Sequence, residues 1–171
     1  MTFKEKLNQI KAFAFDIDGV FSDVLTLHPS GELMRSMNVK DGYAVQYARK
    51  KGYPVAIITG GNTESIRIRF AALGVDDIYL CSSDKIHDLR DFEMRHQLNS
   101  EQILYMGDDI PDIEVMQHCG VATCPADAAT EIREIADYIS PKAAGKGCVR
   151  DIIEQTLRLH GRWFEEDAHK W

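Results

Sequence analysis

Residues 12–19 read AFAFDIDG, an apolar run of four residues that is followed by two aspartates and a glycine. Short apolar runs of this kind are typical of parallel strands that are covered on both faces. We therefore predict a buried strand at 12–15, which delivers Asp16 at its carboxyl end and Asp18 just beyond it. The carboxyl ends of the strands form the edge at which open α/β sheets bind ligands.

The same alternation continues along the chain. Further strands are predicted at 54–58, 78–80, 103–106 and 121–123, with a weak last strand at 138–139. Helical patterns fill the intervals, at 42–51, 63–73, 83–98, 111–119, 127–136 and 149–160. Strands that alternate with helices predict an α/β fold, with a doubly wound parallel sheet and right-handed crossovers.

One segment departs from this alternation. Residues 24–27 and 32–37 flank the turn sequence HPSG at 28–31. Proline, serine and glycine between two apolar stretches predict a β-hairpin. We expect it as an insertion at about 22–38, directly after the first strand, where a helix would otherwise follow.

The composition is that of a globular protein of 171 residues with a net charge of −7. This length predicts a single domain over 1–171, with a tail at 162–171 that is flexible or docks on a neighbour. No basic run is present, which argues against nucleic-acid binding. No signal segment or apolar span appears, and the four cysteines form no zinc pattern, so we expect a cytoplasmic protein that does not bind membranes.

Four polar anchors fall at or just after successive predicted strand ends. They are DIDG at 16–19, TGG at 59–61, Lys85, and GDDIPD at 107–112. Taken singly, each has an ordinary structural explanation, because aspartates at strand ends often cap helices or form turns. Taken together, the fold brings all four to one edge of the sheet, which favours a functional site.

Such a cluster suits phosphoryl chemistry. Asp16, Asp18 and Asp108 supply hard oxygen ligands, which Mg²⁺ prefers. Converging carboxylates repel a phosphate unless a cation reverses the sign of the field. Lys85 adds positive charge and Thr59 adds a hydroxyl donor, and both groups can stabilise the phosphoryl oxygens.

The order of these anchors resembles the haloacid dehalogenase superfamily of phosphohydrolases, from residue 12 to about residue 124. The resemblance implies a Rossmann-like core and a Mg²⁺-dependent phosphatase. It makes Asp16 the nucleophile that becomes an aspartyl-phosphate. It makes Asp18 the general acid that protonates the leaving oxygen, and then the base that activates water. Thr59 and Lys85 hold the phosphoryl group.

The metal ligands that the resemblance implies are Asp16, the backbone carbonyl of Asp18, and Asp108. Asp109 and Asp112 are implied to support these ligands from behind. Many members of the superfamily carry a cap domain in one of two sequence intervals. Here the first interval holds only the hairpin and one helix, and the second holds one helix and one strand, so we expect no cap domain.

A narrower resemblance extends to about residue 159. DIDGVFSD at 16–23, MNVKDG at 37–42 and AAGKG at 143–147 are similar to the 3-deoxy-D-manno-octulosonate 8-phosphate phosphatases. That subfamily acts in lipopolysaccharide precursor synthesis. Its hairpins assemble a homotetramer in which a neighbour covers each active site.

The resemblance also implies a set of sugar-acid contacts. These are Asn38, Val39, Lys40, Asp41, Gly42, Gly60, Gly61, Arg69 and Lys85. Arg69 is the residue that we expect to bind the substrate carboxylate. Lys142 and Lys146 lie in a glycine-rich loop that is either a solvated loop or an anion contact, and its flexibility favours the contact.

Two positions separate this subfamily from similar phosphatases of nine-carbon ulosonate 9-phosphates. Those enzymes tend to carry Glu where Gly61 stands and Lys where Ala72 stands, whereas some octulosonate enzymes carry Arg at the first position. The sequence favours the eight-carbon substrate, with a nine-carbon sialic or 2-keto-3-deoxynononate 9-phosphate as the alternative. A further alternative is a catalytically silent oligomeric scaffold, against which the intact set of anchors argues.

Overall fold

The apolar run at 12–15 forms the centre of a six-stranded parallel sheet in a computed structural model that describes residues 1–171. Numbered along the chain, the strands are Ala12–Phe15 (β1), Leu25–Leu27 (β2), Leu33–Arg35 (β3), Val55–Ile58 (β4), Asp77–Tyr79 (β5), Ile103–Met106 (β6), Val121–Cys124 (β7) and Tyr138–Ile139 (β8). The sheet has the order β5-β4-β1-β6-β7-β8. This confirms the predicted α/β fold.

Helices cover both faces of the sheet. They are Phe3–Leu7 (α1), Val39–Lys50 (α2), Glu64–Ala72 (α3), Lys85–His96 (α4), Ile113–His118 (α5), Thr130–Ile135 (α6) and Cys148–Leu159 (α7). None of them has both the length and the apolar character that crossing a bilayer requires. No cap domain interrupts the order of elements, as the sequence predicts.

The central strand β1 alternates large and small side chains between two hydrophobic cores. Phe13 and Phe15 lie in the core that is shared with α2 and α7. Ala12 and Ala14 lie in the core that is shared with α4 and α5. All four side chains are fully buried, and burial of one phenylalanine stabilises the fold by roughly 2–3 kcal/mol. The strand therefore requires cover on both faces.

The predicted hairpin is present as a separate two-stranded antiparallel sheet, in which Leu25 pairs with Arg35 and Leu27 with Leu33. Its turn is closed by the His28 backbone N–H, which donates to the carbonyl of Glu32 at 3.0 Å. The strands are shorter than predicted, and β2 is exposed along its whole length.

Several predicted helix boundaries shift. The helices predicted at 83–98 and 127–136 are shorter, at Lys85–His96 and Thr130–Ile135, and two further changes lie near the sheet edge. Helix α2 begins at Val39 instead of residue 42, because the Asn38 side chain accepts a hydrogen bond from the Lys40 N–H at 2.8 Å and caps an earlier turn. The helix predicted at 111–119 divides into a short 3₁₀ turn at Ile110–Asp112 and helix α5.

The tail after Gly161 packs on helix α2 of its own chain. The Trp163 ring lies 5.2 Å from the ring of Tyr47 and 6.2 Å from that of Tyr43, edge to face in both pairs. The Tyr43 hydroxyl donates to the carbonyl of Ala168 at 2.7 Å. Trp163 thus packs on an aromatic face of α2, whereas the sequence predicts a tail that is flexible or docks on a neighbour.

Candidate active site

The structure brings all four sequence anchors into one cleft at the carboxyl edge of the sheet. The cleft, of about 620 Å³, lies across the ends of β1, β4 and β6 and the start of α4. Its lining comprises Asp16, Asp18, Gly19, Asp23, Thr59, Gly60, Gly61, Ser82, Ser83, Lys85, Asp108, Asp109, Pro111 and Asp112. We call it the acidic cleft.

Lys85 holds two carboxylates at the centre of the acidic cleft. Its ammonium nitrogen lies 2.8 Å from an oxygen of Asp16 and 2.7 Å from an oxygen of Asp112. Burial opposes the charge of Lys85, but the two carboxylates outweigh burial and raise its pKa. The lysine therefore stays protonated, as a group that stabilises phosphoryl oxygens must be.

Three carboxylates converge beside this lysine. Asp16, Asp108 and Asp112 each place an oxygen within 4.8 Å of the others. Burial raises the pKa of Asp16, Asp112 adds to the increase, and Lys85 opposes it. Burial, followed by the charge of Asp16, raises the pKa of Asp108 to about 7. Burial and neighbouring negative charge thus both oppose the ionisation of Asp16 and Asp108, a cation would offset this, and an all-oxygen donor set fits Mg²⁺.

Asp112 is the residue that the sequence predicts to support the metal ligands from behind. It is fully buried, and it accepts hydrogen bonds from the Tyr105 hydroxyl at 2.7 Å and from the Asp108 backbone N–H at 3.1 Å. Tyr105 belongs to none of the motifs in the sequence. The only available signal was that a tyrosine in a buried strand needs a hydrogen-bond partner.

The loop after β1 approaches Asp108 so closely that only glycine fits. Gly19 has a φ of +85°, and a Cβ atom there would lie 1.8 Å from Oδ2 of Asp108. Positive φ and the absence of a side chain are both properties of glycine. Gly19 thus allows the loop that carries Asp16 and Asp18 to lie against the metal-ligand candidate from β6.

Asp18 contacts a residue of the hairpin that the sequence analysis did not single out. The Arg35 guanidinium donates from Nε to Oδ1 of Asp18 at 2.7 Å and from Nη2 to Oδ2 at 3.0 Å. The Arg35 side chain is 4% exposed and that of Asp18 is 36% exposed. No sequence spacing links a hairpin strand to an aspartate 17 residues earlier, so only the tertiary structure reveals this pair.

Thr59 directly follows β4 and lines the acidic cleft. Its side-chain oxygen accepts a hydrogen bond from the Gly61 N–H at 3.1 Å. Asp109 also lines the cleft, and its carboxylate accepts from the Ile110 N–H at 2.8 Å. Both side chains reach the cleft, but Asp109 also serves as a helix cap.

The predicted sugar contacts fall into three separate places. Gly60 and Gly61 line the acidic cleft. Asn38 and Lys40 line a polar cavity of about 430 Å³, which also contains the following basic residues: Lys142, Lys146, Arg150 and Arg158. Arg69 lines a smaller cavity of about 250 Å³. Within one chain, the turn at 38–42 does not line the cleft that contains Asp16.

Val39 and Asp41 point in opposite directions from this turn. Val39 is 71% exposed, whereas Asp41 is fully buried. Asp41 accepts a hydrogen bond at 2.8 Å from the Arg150 N–H in the first turn of α7. Asp41 therefore joins two helices, and Gly42 packs beneath the guanidinium of Arg69, where a Cβ atom would come within 2.5 Å.

Comparison with known proteins gives consistent matches over most of the chain. A family profile described as haloacid dehalogenase-like hydrolase matches residues 77–152. The 3-deoxy-D-manno-octulosonate 8-phosphate phosphatase of Escherichia coli (strain K12) is 33% identical over 161 residues, which cover 94% of this chain and 86% of that protein.

Solved structures agree with this sequence match. The 3-deoxy-D-manno-octulosonate 8-phosphate phosphatase from Yersinia pestis has a TM-score of 0.91 and 30% identity, covering 93% of this chain and 86% of that one. The enzyme of that name from Moraxella catarrhalis was solved with a magnesium ion, a phosphate ion and KDO. It has a TM-score of 0.88 and 29% identity over 91% of this chain and 90% of that one.

Proposed function

Because the chain belongs to the 3-deoxy-D-manno-octulosonate 8-phosphate phosphatases of the haloacid dehalogenase superfamily, and is therefore a phosphatase, we propose that its own substrate is 3-deoxy-D-manno-octulosonate 8-phosphate. The products are the free sugar acid and phosphate, and the step belongs to lipopolysaccharide precursor synthesis. The observation that carries the proposal is the convergence of Asp16, Asp108 and Asp112 on Lys85 in a single cleft.

The residues of the acidic cleft fit a magnesium ion. Asp16, Asp108 and the backbone carbonyl of Asp18 would hold it, while Asp112 and Asp109 fix the loop that carries Asp108. Mg²⁺, when bound, neutralises the converging carboxylates and attracts a phosphoryl oxygen.

The first half of the reaction uses the two aspartates after β1. A carboxylate oxygen of Asp16 attacks phosphorus, and the bond between phosphorus and the ester oxygen of the sugar breaks. Asp18 donates a proton to the departing sugar oxygen. Lys85 and Thr59 stabilise the charge on the remaining phosphoryl oxygens.

The second half restores the enzyme. Asp18, now deprotonated, takes a proton from a water molecule as that water attacks the phosphorus of the aspartyl-phosphate. The acyl-phosphate bond breaks, phosphate leaves, and the Asp16 carboxylate is regenerated. Asp18 thus regains from water the proton that it gave to the sugar oxygen, and the enzyme returns to its starting state.

Phosphate release from a panel of phosphorylated sugar acids tests the substrate. We expect kcat/KM for 3-deoxy-D-manno-octulosonate 8-phosphate to exceed that for nine-carbon ulosonate 9-phosphates and for simple sugar phosphates. EDTA should abolish turnover, and added Mg²⁺ should restore it. A preference for a nine-carbon substrate would refute the proposed substrate while leaving the phosphatase chemistry in place.

Asp16→Asn tests the nucleophile. The variant should lose turnover by at least about a thousandfold while it keeps the wild-type circular dichroism spectrum. Asp76→Asn is the matched control, because Asp76 is exposed and pairs only with Arg49. Normal hydrolysis by Asp16→Asn would contradict the assignment.

Exposed apolar side chains on the hairpin support the homotetramer proposal. Val24, Leu27 and Met34 are 69%, 77% and 53% exposed, with Met34 and Leu27 on opposite faces of the hairpin, and exposed apolar side chains that lie close together favour protein contacts. The neighbour would then cover the acidic cleft in the absence of a cap. Light scattering on wild type and Leu27→Asp tests this, since a fully active monomer would refute the shared site.

A cytoplasmic location stays a prediction.

A further inference from the structure

Arg35 is a nearly buried arginine of the hairpin, and its guanidinium contacts Asp18 at the edge of the acidic cleft. Three of its nitrogens have partners: Nε and Nη2 bind the two oxygens of Asp18, and Nη1 donates to the Thr63 hydroxyl at 3.1 Å. Two parallel N–H···O bonds to a carboxylate make a strong and strongly oriented pair. The guanidinium thus fixes the direction in which Asp18 points.

This orientation conflicts with the reaction proposed for the cleft. Asp18 has to turn one carboxyl oxygen toward the departing sugar oxygen, yet both oxygens are bound to Arg35 in this structure. At least one of these hydrogen bonds has to break before Asp18 can reach the substrate, and the released carboxylate has to take up a proton from water before it can act as the general acid. A buried guanidinium that loses its partner needs another acceptor.

The structure offers a place for that acceptor next to the cleft. Arg35 and Arg69 line the same cavity of about 250 Å³, together with Met37, Ser65 and Ile66. None of these five residues is acidic, so two guanidiniums share a cavity whose lining supplies no anion. Guanidinium groups recognise carboxylates in a planar, bidentate way, and a sugar acid carries its carboxylate in addition to its phosphate.

Gly61 leaves the space through which Arg35 reaches Asp18. A Cβ atom on Gly61 would lie 3.0 Å from Nη2 of Arg35, closer than ordinary contact. Gly61 itself lines the acidic cleft. The guanidinium therefore lies at the border between the cleft and the cavity of Arg69.

We propose that Arg35 is a specificity-determining residue, whose guanidinium holds Asp18 until the carboxylate of the sugar acid replaces it. A substrate without that carboxylate leaves the Arg35–Asp18 pair intact, so Asp18 protonates its leaving oxygen less effectively. This inference rests on the proposed function, and it deepens that function by assigning the choice of substrate to the hairpin.

Arg35→Ala tests the proposal with two substrates. With 3-deoxy-D-manno-octulosonate 8-phosphate, kcat/KM should fall about 10- to 100-fold, as expected for loss of a charged hydrogen-bonded contact. With p-nitrophenyl phosphate, which has no carboxylate and a leaving group that needs no proton, kcat/KM should change by less than about threefold. The free sugar acid should inhibit p-nitrophenyl phosphate hydrolysis about tenfold more weakly in the variant.

Three further variants separate recognition from folding. Arg35→Lys keeps the positive charge but lacks the two parallel N–H donors. It should therefore recover only part of the wild-type ratio of kcat/KM between the two substrates. Gly61→Ala should shift the ratio in the same direction as Arg35→Ala, because it displaces the guanidinium. Arg67→Ala is the matched control, since Arg67 is exposed and pairs only with Glu64 at 3.6 Å, and both rates should stay unchanged.

The outcomes are distinct. An unchanged substrate ratio in Arg35→Ala, or an equal loss with both substrates, would overturn the proposal, because a purely structural role affects both alike. If wild type does not prefer 3-deoxy-D-manno-octulosonate 8-phosphate, the proposed function fails instead. The ratio is then measured with whichever sugar-acid phosphate wild type prefers, and the same reading applies.

Discussion

Tyr105 supports the acidic cleft from inside the sheet. Its side chain is fully buried in β6, and its hydroxyl donates to the same Asp112 oxygen that Lys85 contacts. Asp112 in turn accepts from the backbone N–H of Asp108. A change at Tyr105 should therefore reach the metal-ligand candidate through one intermediate side chain.

We predict that Tyr105→Phe lowers kcat/KM about tenfold and weakens Mg²⁺ binding, with a loss of about 1 kcal/mol in the free energy of unfolding. Steady-state kinetics, titration calorimetry with Mg²⁺ and urea unfolding measure the three effects. Tyr79→Phe is the matched control, because Tyr79 donates to Asp91 at the same distance of 2.7 Å but outside the cleft. Equal kinetics in the two variants would show that Asp112 is held without Tyr105.

Asp41 is a buried carboxylate whose charge the fold opposes. Burial raises its pKa to about 6, although N–H groups of Arg150 and Gly147 lower it in part. Its Oδ2 atom has no hydrogen-bond partner. Since the folded state holds this proton more tightly than the unfolded chain, Asp41 favours folding most below about pH 4. This advantage is lost as the pH rises to about 6.

Asp41→Asn should remove this pH dependence. Relative to wild type, its free energy of unfolding should increase by about 2–3 kcal/mol between pH 4 and pH 8, because Asn keeps an acceptor for the Arg150 N–H and carries no charge. Urea unfolding across that range measures the difference. Asp76→Asn, at an exposed site, should show no comparable change, and a parallel pH profile for Asp41→Asn would contradict the explanation.

At the scale of elements, the site depends on how closely the loops after β1 and β6 approach each other. Asp16 and Asp18 lie in one loop and Asp108 in the other, and Gly19 is the point of contact. The hairpin that follows supplies Arg35, which contacts Asp18 at the edge of the cleft. The loops and the hairpin therefore have to be held in register by the strands on which they end.

Gly19→Ala should reduce activity by about 100-fold or more, because a Cβ atom displaces Asp108 from its position. Gly52→Ala is the control for backbone strain alone. Gly52 has the same φ of +85°, but a Cβ atom there would meet nothing within 4 Å. The control should lose about 1–2 kcal/mol of stability and keep its kcat. Comparable activity losses in the two variants would contradict the contact with Asp108.

At the scale of the whole molecule, the tail completes the outer face of α2. Trp163 lies against Tyr43 and Tyr47, and the Arg150 guanidinium lies 5.3 Å from the Trp163 ring centroid. These contacts connect residues far apart in sequence without touching the acidic cleft. We therefore expect the tail to contribute to stability more than to chemistry.

Trp163→Ala should lower the free energy of unfolding by about 3 kcal/mol, while p-nitrophenyl phosphate hydrolysis by the folded enzyme stays the same. Urea unfolding and kinetics at low temperature measure the two quantities. Phe164→Ala is the neighbouring control, because Phe164 is 72% exposed and should cost little. If Trp163→Ala were as stable as wild type, the tail would not be part of the folded core.

Much of the fold could be read from local patterns. The six strands of the main sheet and the hairpin appear where apolar runs and turn residues place them. The boundaries of α2 and of the helix after Asp109 shifted because capping side chains and a 3₁₀ turn decide where a helix begins. For the site, Asp16, Asp18, Thr59, Lys85 and Asp108 reach one cleft as predicted, but their roles stay proposals.

The sequence by itself determined the α/β fold and the acidic character of the cleft. It did so because strand periodicity and the order of strand-end residues are local properties of the chain. Only the tertiary structure decided that Arg35 binds Asp18, that Tyr105 supports Asp112, and that Asp41 is buried between helices. Each of these contacts depends on which face a side chain takes and on what packs against it, and neither is encoded in spacing along the chain.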